Sequence, residues 1–255
     1  MVELLGFDIN QLLPFILVGF IAQLVDGAIG MAFGVITNTL LVSILGVAPA
    51  TASARVHLVE MFTTAASGIS HIIHKNVDWR LFSRLAVPGI AGAVIGAYVL
   101  TSIDASVAKP FVMTYLSCIG IYLLYKAWGY KHKPREPKFI APLGFVGGFL
   151  DAAGGGGWGP IVTSNLLIQG SSPRTTIGTV NTTEFFLTVA ASAVFITQLG
   201  WEAFSLATLG LLIGGMAAAP FAAIVTRHIK PQTLLMLVGI VLTATSAFSL
   251  YTSIF

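Results

Sequence analysis

Apolar runs follow one another along almost the whole chain, and that succession decides what it can become. They cover roughly residues 11–26, 30–46, 50–74, 80–101 and 108–128, then 139–151, 158–169, 174–198, 202–226 and 231–253. Only 9% of the 255 residues are charged, 56% are hydrophobic, and mean hydropathy is +0.89. A soluble domain carries about 25% charged residues, and a soluble fold of this size could not cover its surface with so few. The composition is that of a polytopic membrane protein, all-α, embedded in the lipid bilayer. The net charge of +3 comes from basic residues lying between apolar runs, which suits loops facing anionic lipid. No Arg-rich patch with interleaved aromatics marks a nucleic-acid surface. The single cysteine, Cys118, excludes an intrachain disulfide and speaks against a Cys-based metal site, so no metal or cofactor is expected. The N-terminal MVELLGFDIN lacks a basic n-region and a cleavage site, and reads as a short exposed lead into the first membrane segment.

The polar stretch YKHKPREPK (130–138) divides the runs five and five. The expected organisation is an N-terminal membrane repeat (1–129), a basic linker (130–138) and a C-terminal membrane repeat (139–255). Sliding the chain by 125 residues places FIAQLVDGAIGMAFGVI (20–36) on FVGGFLDAAGGGGWGPI (145–161), so that Asp26 meets Asp151, Gly30 meets Gly155 and Gly34 meets Gly159. Sliding by 124 places PATASARVHLVEMFTTAA (49–66) on PRTTIGTVNTTEFFLTVA (173–190), so that Pro49 meets Pro173 and Glu60 meets Glu184. Asp, Glu and Pro are rare here, and their coincidence indicates an internal duplication. An odd number of reversals in each half turns the second upside down. Lys75, Arg80, Arg84, Lys126, Lys131, Lys133, Arg135, Lys138, Arg174, Arg227 and Lys230 then collect on one side, against Arg55 and Lys109 on the other. The expectation is a bundle of two inverted repeats in a bacterial or archaeal plasma membrane. Each has a broken or hairpin helix pair plus three spanning helices, with the linker cytoplasmic and both termini outside.

A full span needs about 20 apolar residues. Runs 139–151 and 158–169 are too short, and their counterparts in the first half are broken by the same Asp-x-x-x-Gly pattern. Short, Gly-interrupted segments at corresponding places in two halves point to a transporter site. Unwound backbone is tolerated at membrane depth only where protein or a polar cavity satisfies it. A helix restarting there points free N–H groups and a positive dipole end inward, an arrangement that favours an anion. Pro160 suits a first helical turn. GAVIG (92–96) and GLLIG (210–214) read instead as close helix packing. Trp158-Gly159-Pro160 after the glycines excludes the Walker pattern.

Glu60 and Glu184 lie about ten residues into matched runs and reach the midplane from opposite faces, which makes them candidate proton carriers. A protonated carboxyl donates a hydrogen bond to an anion, whereas a carboxylate repels it. A structural hydrogen bond between helices is the equal alternative. His57 shares a face with Glu60; a relay or a satisfied polar histidine are both open. Arg55 is expected to snorkel, His71, His74 and Lys75 to be interfacial, and Trp79 and Trp201 to anchor in the aromatic belt. Asp26 and Asp151 close the first half-helix of each repeat and either cap the restarting helix, the favoured reading, or bind a coupling cation.

The twofold element DGAIGMAFG (26–34) and DAAGGGGWGP (151–160) resembles the sulfite exporter TauE/SafE family of membrane transporters, over about residues 10–253. The resemblance implies transport of sulfur anions such as sulfite or sulfonates, with ion coupling. Together these readings give a secondary transporter of a small anion, most simply a sulfur oxyanion or organosulfonate, coupled to protons or another ion, working by alternating access where the repeats meet. Candidate solute-binding residues are Asp26, Gly27, Gly30, Gly34, Asn38, His57, Asp151, Gly154, Gly155, Gly156, Gly157, Trp158, Asn165, Asn181 and Thr182, with Glu60 and Glu184 for proton coupling. The alternatives are an anion channel or a carrier of a small carboxylate. An enzyme is not expected, since His57 with Glu60 lacks a third member. A homo-oligomer is compatible with the sequence.

Overall fold

The computed structural model describes residues 3–4, 7–29, 31–128, 136–204, 206–228 and 231–254. The expected linker residues 130–135, and Gly30 and Lys230, lie outside these; the side chains of Arg174 and Arg227 are likewise not described. The described residues are overwhelmingly helical. A two-residue antiparallel pairing of Glu3–Leu4 with Phe7–Asp8 comes first. The helices are α1 (Ile9–Ile29), α2 (Phe33–Ser43), α3 (Pro49–Ile73), α4 (Trp79–Ser102), α5 (Ala105–Ala127), α6 (Ile140–Gly154), α7 (Ser164–Gln169), α8 (Pro173–Leu199), α9 (Leu206–His228) and α10 (Pro231–Ile254). A π-helical turn, Gly159–Thr163, leads into α7, and a 3-10 turn, Trp201–Phe204, precedes α9.

Helices α4, α5 and residues 175–199 of α8 are each long and apolar enough to cross a membrane. At 1.5 Å per residue the 24 residues of α4 cover about 36 Å. Large apolar side chains face outward along the bundle, among them Val87, Phe111 and Ile213, as they must where the solvent is hydrocarbon. Trp79 and Trp201 are exposed at the starts of their elements, where an aromatic belt places them. The protein is an integral membrane protein.

Two bonds show that the broken pairs turn back. The backbone N–H of Lys138, before α6, donates to Gln169 Oε1 at the end of α7, at 2.6 Å. That pair therefore enters and returns on the side carrying the linker. In the first repeat, Arg55 near the start of α3 stacks over Phe15 near the start of α1 and donates to the Ala203 carbonyl at 3.0 Å. The start of α1 and the chain leaving α2 thus share the opposite side. Arg55 is satisfied by that carbonyl and ring.

The repeats are interwoven. The first half-helix of each packs on a long helix of the other, α1 on α9 and α6 on α4, while α3 packs on α8 and α5 on α10. Glycine makes the first two contacts possible. A Cβ on Gly92 or Gly96 of α4 would strike the α6 backbone at Phe145 or Phe149, and one on Gly210 or Gly214 of α9 would strike α1 at Phe15 or Ile16. Two helices approach this closely only when small residues line the seam.

Candidate functional site

The α6 break is where the glycine run does its work. Gly155, Gly156 and Gly157 have φ of 74°, 126° and 140°, a region that L side chains rarely enter. The carbonyls that the ending helix leaves without partners are met from three neighbouring helices. Ser53 Oγ donates to Ala152 O at 2.8 Å, Asn38 Nδ2 to Gly154 O at 3.1 Å and Tyr115 Oη to Gly156 O at 3.0 Å. Unwound backbone is thereby satisfied by protein at membrane depth.

Each break is closed by its own aspartate. Phe33 N–H donates to Asp26 Oδ1 at 3.1 Å, and Trp158 N–H donates to Asp151 Oδ1 at 2.8 Å. Both bonds span seven residues and are related by the 125-residue offset, and both cap the restarting helix. Asp151 also receives His57 Nε2 at 3.2 Å on Oδ2, while His57 Nδ1 faces the Ser53 carbonyl at 2.8 Å. His57 is fully buried, so it is a satisfied interior histidine that fixes Asp151.

The two breaks touch. A Cβ on Gly34 would stand 2.9 Å from Gly156 Cα, and one on Gly159 would stand 2.8 Å from Met31 Cβ. The offset converts the first pair into the second, so the breaks meet about a local twofold. Beside this contact lies a cavity of about 410 Å³, walled by Asp26 and residues 31–35 of the first break, by Gly157, Gly159 and Pro160 of the second, and by Glu60 and Glu184. It continues along α3 through Thr63, Thr64 and Ser67 to His71, eleven residues and about 16 Å from Glu60. That end is the linker side. Opposite it, the equivalents on α8 are Leu187, Thr188, Ala191 and Phe195, all fully buried, with the Phe195 ring 5.7 Å from that of His57. The cavity is therefore open along α3 and shut along α8.

Of the residues expected to bind solute, Asp26, Gly34, Gly157 and Asn181 lie on the cavity wall with Glu60 and Glu184. Asn38, His57, Asp151, Gly154, Gly155 and Gly156 build the break behind it. Gly27 lies in the last turn of α1. Trp158 is buried, its indole N–H donating to the Val180 carbonyl at 3.2 Å. Thr182 bonds back to Gly178 O at 2.7 Å and packs on Gly68, away from this wall. Asn165 is exposed and accepts from Gln169 at 2.6 Å. Gln23, Thr63, Ser67 and His71 line the cavity without having been singled out for it. For the three on α3 the signal was helical spacing, since 60, 63, 67 and 71 fall on one face; Gln23 lies on α1 and carried no such signal. Asn181 Nδ2 donates to Ser67 Oγ at 3.1 Å across the opening. Among the described residues, no Lys or Arg lines this cavity, and no group of three His, Cys, Asp or Glu is arranged to hold a metal ion.

Residues 15–249 match the family described as sulfite exporter TauE/SafE. The chain is 45% identical over 239 residues to the probable membrane transporter protein YtnM of Bacillus subtilis (strain 168), an alignment covering 90% of this chain and 79% of that protein. No solved structure matches it.

Proposed function

The chain belongs to the sulfite exporter TauE/SafE family of membrane transporters, and on that premise we propose that it is a secondary carrier of a small anion, a sulfur oxyanion or organosulfonate, moved together with protons. The observation that carries the reading is the cavity where both helix breaks meet, with one glutamate from each repeat on its wall. The α2 N-terminus brings backbone donors and a positive dipole end to that cavity. Three carboxyls also face it, Asp26, Glu60 and Glu184, and no lysine or arginine among the described residues offsets them. At an effective dielectric of 20, an anion about 4 Å from a carboxylate is repelled by about 4 kcal/mol. A proton on the glutamate removes that repulsion and turns the oxygen into a donor. Proton and anion therefore travel in the same direction.

The fully buried Leu187, Ala191 and Phe195 across the far end support a carrier over an open channel. The Lys and Arg bias supports a cytoplasmic linker side with both termini outside, and in that orientation this form faces inward. Uptake of labelled sulfite, methanesulfonate and acetate into proteoliposomes, with and without a pH gradient, tests the proposal. The expected result is saturable uptake of the sulfur anions, driven when the outside is the acid side, with Glu184→Gln removing most of that drive. Current without saturation, or uptake of none of the three, overturns it.

A further inference from the structure

The Glu60 carboxyl does not simply face the cavity. Its Oε1 would lie 2.9 Å from a Cβ on Gly34, in the first turn of α2. Its Oε2 is buried without a hydrogen-bond partner among the described residues, in a side chain that lines the cavity, and the residue is only 5% exposed. Asp26 already holds the preceding donor, Phe33 N–H. One donor that the break turns toward the cavity is thus taken up by Asp26, and the Glu60 carboxyl stands beside the next residue, Gly34. Glu184, the equivalent on α8, is half-buried and makes no such contact with Gly159 among the described residues.

We propose that Glu60 is an internal anion seated on the α2 N-terminus where the transported anion binds, so that the solute takes the seat only as the Glu60 carboxylate leaves it. This rests on the reading of the cavity as an anion site. Solute and Glu60 exclude each other at the Gly34 amide. The groups that bear on Glu60 are Asp26 on α1, Asp151 on α6 and Glu184 on α8, with His71 at the mouth on α3 itself, and Asp151 is tied to His57. Of these groups, Glu60 is the one that stands against α2 at Gly34. A proton on Glu60 weakens its hold on the amide and frees the seat, so solute affinity is highest at low pH and falls as pH rises through the Glu60 titration.

Methanesulfonate binding to the whole protein in lipid nanodiscs, followed by calorimetry between about pH 5 and 8, tests this, because that probe keeps its charge throughout. For the parent, Kd is expected to rise by up to about tenfold per pH unit, the limit for one linked proton. Glu60→Gln is expected to bind near the parent's acid limit and to lose most of the slope, what remains belonging to Glu184 and Asp26 on the same wall. Glu60→Asp still titrates but is one methylene shorter and falls short of Gly34, so it too is expected to lose most of the slope. If both variants keep the parent's slope, the inference is overturned. If Glu60→Asp alone keeps it, Glu60 carries a proton without occupying the seat, and the inference is again overturned while the transporter reading stands. A parent that binds neither methanesulfonate nor sulfite at any pH brings down the reading and this inference together.

Discussion

Ala32 has φ of 105°, and its equivalent under the 125-residue offset, Gly157, has φ of 140°. The same backbone turn is built in one repeat from a residue made for it and in the other from one that resists it. Holding a non-glycine residue in such a region costs on the order of 1–3 kcal/mol. Ala32→Gly is therefore expected to raise the thermal unfolding midpoint of the purified protein. Gly157→Ala is expected to lower it, both through the backbone and because the new Cβ would collide with the Tyr115 hydroxyl. Midpoints from a tryptophan-fluorescence melt decide the matter, and a lower midpoint for Ala32→Gly contradicts the assignment of strain. At this scale much was legible in the sequence. The pairing of Asp26 with Asp151 followed from the offset, and capping from their place just before a restarting helix. What the sequence could not convey is that Glu60 stands against the first break, its Oε1 2.9 Å from where a Cβ on Gly34 would lie. That depends on which side chains a third helix brings to the break, and α3 is remote from it in the chain.

Helix α6 has 15 residues and reaches about 22 Å, too short to cross the roughly 30 Å hydrocarbon core. Its length and the glycines after it marked a segment that does not cross easily and left open whether it spans or re-enters, and the Lys138–Gln169 bond shows it returning. Its packing partner was not legible. Small residues in GAVIG and GLLIG marked faces for close approach, but a face does not name what it meets, and each half-helix seats on the other repeat. The interweaving makes α6 hold the repeats together as well as build the site. Gly148 lies where a Cβ would collide with the Gly89 carbonyl of α4. Gly148→Leu is accordingly expected to separate α6 from α4 and to remove most of the monodisperse fraction in size-exclusion chromatography. Val146→Leu, on the exposed face of the same helix, is expected to leave the profile unchanged. A monodisperse Gly148→Leu protein would mean that the α4–α6 seam has room for a side chain at Gly148, against the close approach of the two helices.

The whole molecule breaks the symmetry of its own repeats. Along α3 the residues beyond Glu60 are Thr63, Thr64, Ser67 and His71, on a cavity wall, and along α8 the residues beyond Glu184 are Leu187, Thr188, Ala191 and Phe195, sealed. On the proposed alternating access, an exchange of conformations between the two repeats converts this form into its mirror in function, with α8 open and α3 shut. The exposed Cys118 is the only cysteine, so a Cys118→Ala protein gives a background in which one new thiol reports one position. In vesicles without solute, Ser67→Cys is expected to react with a membrane-impermeant maleimide from the linker side at least about tenfold faster than Ala191→Cys does from either side. With methanesulfonate and a pH gradient supporting turnover, Ala191→Cys is expected to gain reactivity from the opposite side as Ser67→Cys loses it. The proposal requires the two changes to appear together, the helix pair closing on one glutamate as it opens on the other. Uptake proceeding while Ala191→Cys stays unreactive from both sides would mean that the anion crosses by a route that does not pass between α3 and α8.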